Sequence, residues 1–348
     1  MGDLRPIVLL TNPIEAGAVD HLAQHCRVVL AENTQGDTLC RLAQDASFIV
    51  VRAPLPPSLF ESAHRLRAVV RHGAGLDMIP IPEASAHGVA VANVPGVNAT
   101  TVAEYVLGQM LNLNRQLGLV NQTLRSQSWG AARQLSDTAR DLRGRTVAVV
   151  GMGAIGQAVA HLCGVGFGMK VLGVTRRAQA GTPNLRYLSL HEALPLADML
   201  VLACPLNDDT RGMIGAQELS LLPRDAQLIN VSRGPVVDEA TLSQALATGH
   251  LAGAALDVFA HQPLPPDSPL LNFPQVLLSP HMAGITQESM SRMISVAAEQ
   301  ILQMLRGDFP THWVNTDARE AILRRCNPCP HHENQIHSRA LVARSHPL

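Results

Sequence analysis

The stretch Thr146-Val147-Ala148-Val149-Val150-Gly151-Met152-Gly153-Ala154-Ile155-Gly156-Gln157 decides how this chain folds. A short β-branched run feeds directly into Gly-x-Gly-x-x-Gly, and an apolar helical pattern, Gln157–Leu162, follows at once. Three glycines alone carry little information. Set between a strand and a helix, each has a task. Gly151 permits a tight turn, Gly153 lets backbone come close to a pyrophosphate, and Gly156 lets the helix lie against the strand. The first helical turn, with Ala154 and Ile155, then offers unpaired N–H groups and a partial positive charge to phosphate. The competing reading is a glycine-rich turn that binds nothing.

Outward from this stretch, strands and helices alternate. Downstream, Val171–Val174, Met199–Ala203, Gln227–Val231, Gly253–Leu256 and Val276–Leu278 read as strands, making six with Thr146–Val150. Upstream, Ile7–Leu10, Val28–Ala31, Phe48–Val51, Ala68–Arg71 and Val89–Val91 read as strands separated by helical patterns such as Gly17–His25. Strands that alternate with helices form parallel sheets covered on both faces. The expected fold is therefore α/β, with two doubly wound parallel-sheet domains. Between them, Thr101 and Glu104 stand at capping-box spacing ahead of a long helix striped by Val102, Val106, Met110, Leu113 and Leu117. A further helix, Gln287–Leu305, is expected to return to the first lobe and make it discontinuous. The boundaries predicted are 1–98 with 286–317 for that lobe, 99–285 for the dinucleotide-binding Rossmann domain, and 318–348 for a C-terminal tail in which the pattern decays.

With 348 residues, 47% hydrophobic and 16% charged, the chain can bury substantial cores. A net charge of -1 without long runs of one sign argues against nucleic acid or an anionic membrane as partner. The apolar run Ile7–Leu10 is cut by Asn12-Pro13, too short for a signal-peptide core, and no segment approaches the roughly 18 apolar residues of a membrane span. A cytoplasmic protein is expected. Six scattered cysteines do not resemble a disulfide framework. Cys326-x-x-Cys329 with His331 and His332 is the one metal-like pattern. It lacks a second Cys pair, so no metal is expected.

The segment after the second strand of the cofactor domain reads Gly173-Val174-Thr175-Arg176-Arg177. The Asp or Glu that bonds ribose hydroxyls in NAD enzymes is missing. A hydroxyl and two guanidinium groups stand there instead, suited to a 2′-phosphate. NADP(H) is therefore favoured, with NAD(H) as the alternative if the arginines merely face solvent.

Three downstream segments carry a resemblance. They are Asn230-Val231-Ser232-Arg233-Gly234-Pro235-Val236-Val237-Asp238, Gly253–Leu264 with Asp257 and Gln262-Pro263, and Leu278-Ser279-Pro280-His281-Met282-Ala283-Gly284. Together with the glycine loop, and with Arg71-His72-Gly73-Ala74-Gly75 and Gly96–Glu104 upstream, they resemble the D-2-hydroxyacid dehydrogenases from about Ile7 to Asn315. The resemblance implies a Rossmann domain inserted in a flavodoxin-like substrate domain, and interconversion of a small 2-oxo acid with its (R)-2-hydroxy acid. It implies that Arg233 binds carboxylate and carbonyl oxygen and stabilises the developing alkoxide. His281 donates or removes the proton. It further implies that Thr210, Cys204-Pro205, Val231, Ser232, Asp257, Ala283 and Gly284 border the cofactor. Asp257 has a second reading, as a brace for its strand end. The backbone N–H groups of Gly73, Ala74 and Gly75 suit a carboxylate. His72 and Asn98 belong to the same substrate loop and crossing. Arg52 and Ala53, at the end of Phe48–Val51, face the substrate; Arg52 binds a second anionic group or is structural.

One position departs from the family. Most members carry Glu before the proline where this chain has Gln262. Glutamine can accept a hydrogen bond from the imidazole, yet brings no charge to raise its pKa. Formate dehydrogenases of the same superfamily also pair glutamine with the histidine, so formate oxidation is an alternative. A nicotinamide-sensing, non-catalytic corepressor-like protein is another. A homodimer through the cofactor domain is expected from the apolar face of the long helix after Thr101.

Overall fold

The computed structural model describes residues 5–176 and 180–326. It divides into two compact units, one formed by Met1–Pro95 with Met290–Leu348 and the other by Gly96–Ser289.

In the first unit, β1 (Ile7–Leu10), β2 (Arg27–Leu30), β3 (Phe48–Val51), β4 (Ala68–Arg71) and β5 (Ala90–Ala92) form one sheet in the order β2-β1-β3-β4-β5. Every pairing is parallel. Phe48, Ile49, Val50 and Val51 are all buried, whichever face they point to, as a sheet covered on both sides requires. The strand order reverses between β1 and β3. Crevices that hold ligands in open α/β sheets lie beyond the carboxyl ends at such a switch.

The second unit holds β6 (Thr146–Val150), β7 (Lys170–Val174), β8 (Leu185–Leu188), β9 (Met199–Leu202), β10 (Ala226–Asn230), β11 (Leu251–Leu256) and β12 (Val276–Leu278). The order is β12-β11-β10-β9-β6-β7-β8, again all parallel. Alternate side chains of β6 enter two separate cores: Ala148 and Val150 on one face, Val147 and Val149 on the other. The order reverses between β6 and β9, so the glycine turn after Val150 stands at the switch point.

Three expectations need correction. The sheet has a seventh strand, β8, whose Leu-Arg-Tyr-Leu sequence pairs with β7 at the sheet edge. It escapes a search for apolar runs because an edge strand need bury only part of its surface. The long helix begins at Ala99, not after Thr101, and Asn98 as its N-cap makes no side-chain capping bond. Thr101 is buried inside its first turn, so the capping-box spacing with Glu104 is coincidental. That helix ends at Arg115, where Gln116 turns left-handed (φ 50) and Leu117 starts a second helix. Leu117 is 54% exposed and does not extend the buried stripe of Val102, Val106 and Met110. The 318 boundary also falls short of regular structure. Helix Arg319–Cys326 follows it, with Ile322 buried in the first unit and the Arg325 guanidinium donating to the carbonyls of Leu66, His87 and Ala63. Charged side chains dominate that helix, which hides its single apolar anchor from a periodicity search. Cys329, His331 and His332 lie outside the described residues. Among the described residues no helix is long and apolar enough to cross a membrane, and no cluster of three or more His, Cys, Asp or Glu side chains could hold a metal.

Candidate active site

Strand register puts the sequence-predicted residues of the second unit on one edge. Val174, Val150, Leu202, Asn230, Leu256 and Leu278 pair in one continuous row across β7, β6, β9, β10, β11 and β12. Gly151, Thr175, Cys204, Arg233, Asp257 and His281 all follow that row within three residues. Neighbouring strands lie about 4.8 Å apart, so the ends that launch Arg233 and His281 are about 10 Å from each other.

The glycine turn has the shape its sequence demands. Gly151 is left-handed (φ +94), and a Cβ there would stand 2.6 Å from the Cys204 backbone. A Cβ on Gly156 would stand 2.0 Å from the Gly151 carbonyl oxygen, so only glycine lets the helix Ala154–His161 lie this close. Gly153 faces open space. The two tight glycines shape the turn, and the third leaves room in front of the helix N-terminus, where Ala154 and Ile155 keep N–H groups free of intrahelical partners. This cradle fits a pyrophosphate. Cys204 and Pro205 form the adjoining wall, and Thr210 Oγ1 donates to the Pro205 carbonyl at 2.7 Å. Burial raises the Cys204 thiol pKa, which leaves it a packing residue. At the end of β7, Arg176 is exposed and pairs with Asp209 at 3.0 Å. The fold thus brings an acid to a strand end that lacks one in sequence. Surface pairs of this kind hold weakly. Arg177 lies outside the described residues.

After β10, Asn230 shapes the turn that carries Arg233. Its Oδ1 accepts from the Ser232 N–H and hydroxyl at 3.0 and 2.8 Å, and its Nδ2 donates to the Arg233 carbonyl at 3.1 Å. Val231 and Ser232 are buried. The Arg233 guanidinium donates to the Ser232 carbonyl at 2.7 Å. Gly234 packs so tightly on Phe259 that a Cβ would fall 1.9 Å from its carbonyl carbon.

After β12, His281 occupies the left-handed region (φ 54), unusual for a residue with a side chain. Its N–H donates to the carbonyls of Asp257 and Ser279 at 2.8 and 3.0 Å. The Asp257 side chain, 2% exposed, accepts from Ser279 Oγ at 2.6 Å, from Met282 N–H at 2.8 Å and from Ala283 N–H at 2.8 Å. Asp257 therefore braces the His281 turn. His281 Nδ1 lies 3.2 Å from Gln262 Oε1, so the amide oxygen accepts the Nδ1 proton and leaves Nε2 for other partners. Tyr105 and Ser279, absent from the sequence reading of the site, join Asp257 through a Tyr105–Ser279 hydroxyl contact. Asn98 approaches Gly284 so closely that a Cβ there would lie 2.7 Å from its Nδ2. Asn98 Oδ1 is buried and has no hydrogen-bond partner among the described residues.

The first unit has an edge of its own, of different character. Ala53 is buried, and Arg52 leaves β3 with its N–H on Thr11 Oγ1 at 2.8 Å and its guanidinium on the Pro13 carbonyl. His72 is 4% exposed, its Nε2 3.3 Å from the Met290 carbonyl. Burial first, then the charges of Arg52 and Arg71 against one favourable backbone bond, pull its pKa down to about 4. Gly73 takes a positive φ of 144. The Gly73 carbonyl accepts from Val94 N–H at 2.9 Å, and the Ala74 carbonyl from Asn93 Nδ2 at 2.8 Å. The N–H groups of Gly73, Ala74 and Gly75 donate to no acceptor among the described residues. Turned-out carbonyls with open amides make a seat for an anion.

The family model for the NAD binding domain of D-isomer specific 2-hydroxyacid dehydrogenases matches residues 107–283. The chain is 33% identical over 323 residues to a glyoxylate reductase of Korarchaeum cryptofilum, covering 90% of this chain and 97% of the relative. It is 30% identical to a glyoxylate/hydroxypyruvate reductase B of Klebsiella pneumoniae, covering 91% of this chain and 100% of the relative. The structure of an NADPH-dependent glyoxylate/hydroxypyruvate reductase from Sinorhizobium meliloti, in complex with NADP and malonate, superposes with a TM-score of 0.80 at 31% identity, over 89% of this chain and 97% of that one.

Proposed function

The chain belongs to the D-isomer specific 2-hydroxyacid dehydrogenase family, oxidoreductases that act on CH–OH groups with NAD(P), and from that premise we propose that it reduces a small 2-oxo acid to the (R)-2-hydroxy acid, preferring NADP(H). The observation that carries this reading is the single row of strand ends from which Gly151, Arg233 and His281 emerge. The nicotinamide, when bound, exchanges a hydride with substrate C2. The helix N-terminus at Ala154 and Ile155 takes the pyrophosphate, and Thr175 and Arg176 take the 2′-phosphate. Asp257, Val231, Ser232, Ala283 and Gly284 border the nicotinamide end.

Reduction places negative charge on the carbonyl oxygen. Arg233, always cationic, stabilises that charge and holds the carboxylate. His281 Nε2 delivers the proton, with Gln262 fixing the ring through Nδ1. In the first unit, the amides of Gly73–Gly75, which donate to no acceptor among the described residues, suit an anion. Arg52, on the same edge, favours an anionic group, because among the described residues its part-buried guanidinium is bonded only to the Pro13 carbonyl.

Assaying glyoxylate, hydroxypyruvate, pyruvate and 2-oxo dicarboxylates with NADPH and NADH in parallel tests the reading. Turnover with kcat/KM higher for NADPH is expected. Tight NADPH binding without turnover of any 2-oxo acid would assign the chain to sensing instead. The His281–Gln262 contact favours one second reading, formate oxidation, since hydride leaves formate without proton exchange. Reduction of NADP by formate, with 2-oxo acids inert, would establish it.

The chain also forms a homodimer in this reading, through a surface other than the one the sequence suggests. The apolar stripe of Ala99–Arg115 is buried in its own unit, whereas Leu117, Leu119, Leu124 and Trp129 on the next helices are exposed. Sedimentation at micromolar concentration checks it: a dimer is expected, a monomer contradicts it.

A further inference from the structure

We propose that Tyr105 is a positioning residue for His281, acting through Ser279 and Asp257 on the turn that carries the imidazole. The proposal rests on the reading of His281 as the proton donor.

Donor and acceptor roles in this chain of side chains run one way. Asp257 can only accept when ionised, so Ser279 Oγ spends its proton on Oδ1 at 2.6 Å. The Ser279 hydroxyl is then left to accept, and the hydroxyl it touches is that of Tyr105. The phenol therefore donates to the serine and the serine to the carboxylate. Burial raises the Tyr105 pKa, and the Asp257 charge adds to the rise. The phenol keeps its proton and the direction holds.

The carboxylate at the end of this chain fixes residues on both sides of His281. Ser279 is bound before it, Met282 and Ala283 after it, and the Asp257 carbonyl takes the His281 N–H at 2.8 Å. A non-glycine residue is disfavoured in the left-handed region, so the turn persists only while its neighbours hold it. Tyr105 is anchored by its helix, whose Val102, Val106 and Met110 are buried. It ties a rigid element to the loop that must aim the imidazole. Among the described residues, hydrogen bonds join to this turn Asp257, which follows β11, and, through Ser279, Tyr105 from the helix, while Gln262 is neutral. With no carboxylate at position 262, Asp257 is an anion bound to the turn, and Tyr105 sets how firmly it is held.

Tyr105→Phe, Ser279→Ala and the double variant test this in the full chain. The readouts are kcat, KM, NADPH affinity and an NMR titration of the His281 ring. Tyr105→Phe is expected to lower kcat about tenfold, less than the roughly hundredfold cost of a 1 Å misplacement. KM and NADPH affinity should stay within about twofold. The His281 titration should move up as Asp257 loses donor support. The double variant should be no worse than Ser279→Ala alone, because both act through one chain. Tyr105→Gln, which keeps a donor, should restore part of the titration. Effects that multiply in the double variant would overturn the proposal. So would a Tyr105→Phe protein with unchanged kcat and titration, or one in which kcat, KM, NADPH affinity and melting temperature all fall together. A wild-type chain inert to every 2-oxo acid would defeat the functional reading, and the titrations would still decide the role of Tyr105.

Discussion

The two parallel sheets end in edges of opposite character. Beyond β10–β12 the polar groups satisfy one another: Asn230 holds the turn before Arg233, and Asp257 collects donors from Ser279, Met282 and Ala283. Beyond β3 and β4 the balance differs: Arg52 leans on a carbonyl, His72 sits neutral in a buried place, and the three amides from Gly73 to Gly75 meet no acceptor among the described residues. An edge that spends its hydrogen bonds internally fixes atoms in space, as proton transfer requires. One that leaves N–H donors open suits an anion. The carboxyl ends of a parallel sheet thus carry satisfied turns in one place and open donors in another, and the glycine turn after β6 gives the second unit open amides of its own.

The sharpest way to break this contrast is through the glycines of the second edge. Gly156→Ala forces a Cβ to within 2.0 Å of a backbone carbonyl. It should cost about 3 kcal/mol or more of stability by chemical denaturation. Gly153→Ala, which meets open space, should leave stability unchanged and weaken NADPH binding about tenfold. Equal stability losses in both would show that the turn is not shaped for a ligand.

In the first edge, His72 predicts a pH dependence. Its folded pKa of about 4 lies below the ordinary histidine value of 6.5, so the unfolded chain takes up the proton first as pH falls. Its contribution to stability is full above pH 6.5 and declines between 6.5 and about 4. Below that it levels off, with a total loss on the order of 3 kcal/mol. His72→Asn should flatten that part of the stability profile; an unchanged slope contradicts the buried neutral ring.

Arg52→Gln probes the unspent donors of the same edge. It should raise KM for a 2-oxo dicarboxylate about thirtyfold and for glyoxylate by no more than about threefold. A uniform change would make Arg52 structural.

Gln262→Glu gives the smallest effect. A carboxylate beside His281 Nδ1 favours the imidazolium, so the alkaline limb of 2-oxo acid reduction should move up by about one pH unit. An identical pH–rate profile would mean that position 262 only orients the ring.

What could be read from the chain before folding follows the length scale of each feature. The glycine turn is legible because strand, glycines and helix are contiguous, and the central strands because they are buried on both faces. β8 was hidden by its place at the sheet edge, and the helix start by a Thr101–Glu104 spacing that local sequence cannot distinguish from a cap. Long-range pairings were out of reach. Asp209 meets Arg176 only after the fold closes, and nothing near Tyr105 in sequence announces Ser279. Asp257 shows the same limit, since nothing in its own segment announces the Ser279, Met282 and Ala283 donors that make it a brace.

The account's central claim is that His281 carries the proton for 2-oxo acid reduction. NADPH oxidation with glyoxylate and hydroxypyruvate, measured for the wild-type chain and for His281→Asn alongside NADPH affinity, tests it most directly. The account predicts turnover in the wild type and a loss of about 10²–10⁴-fold in kcat in the variant, with NADPH affinity preserved. A variant that reduces either acid at the wild-type rate would contradict it.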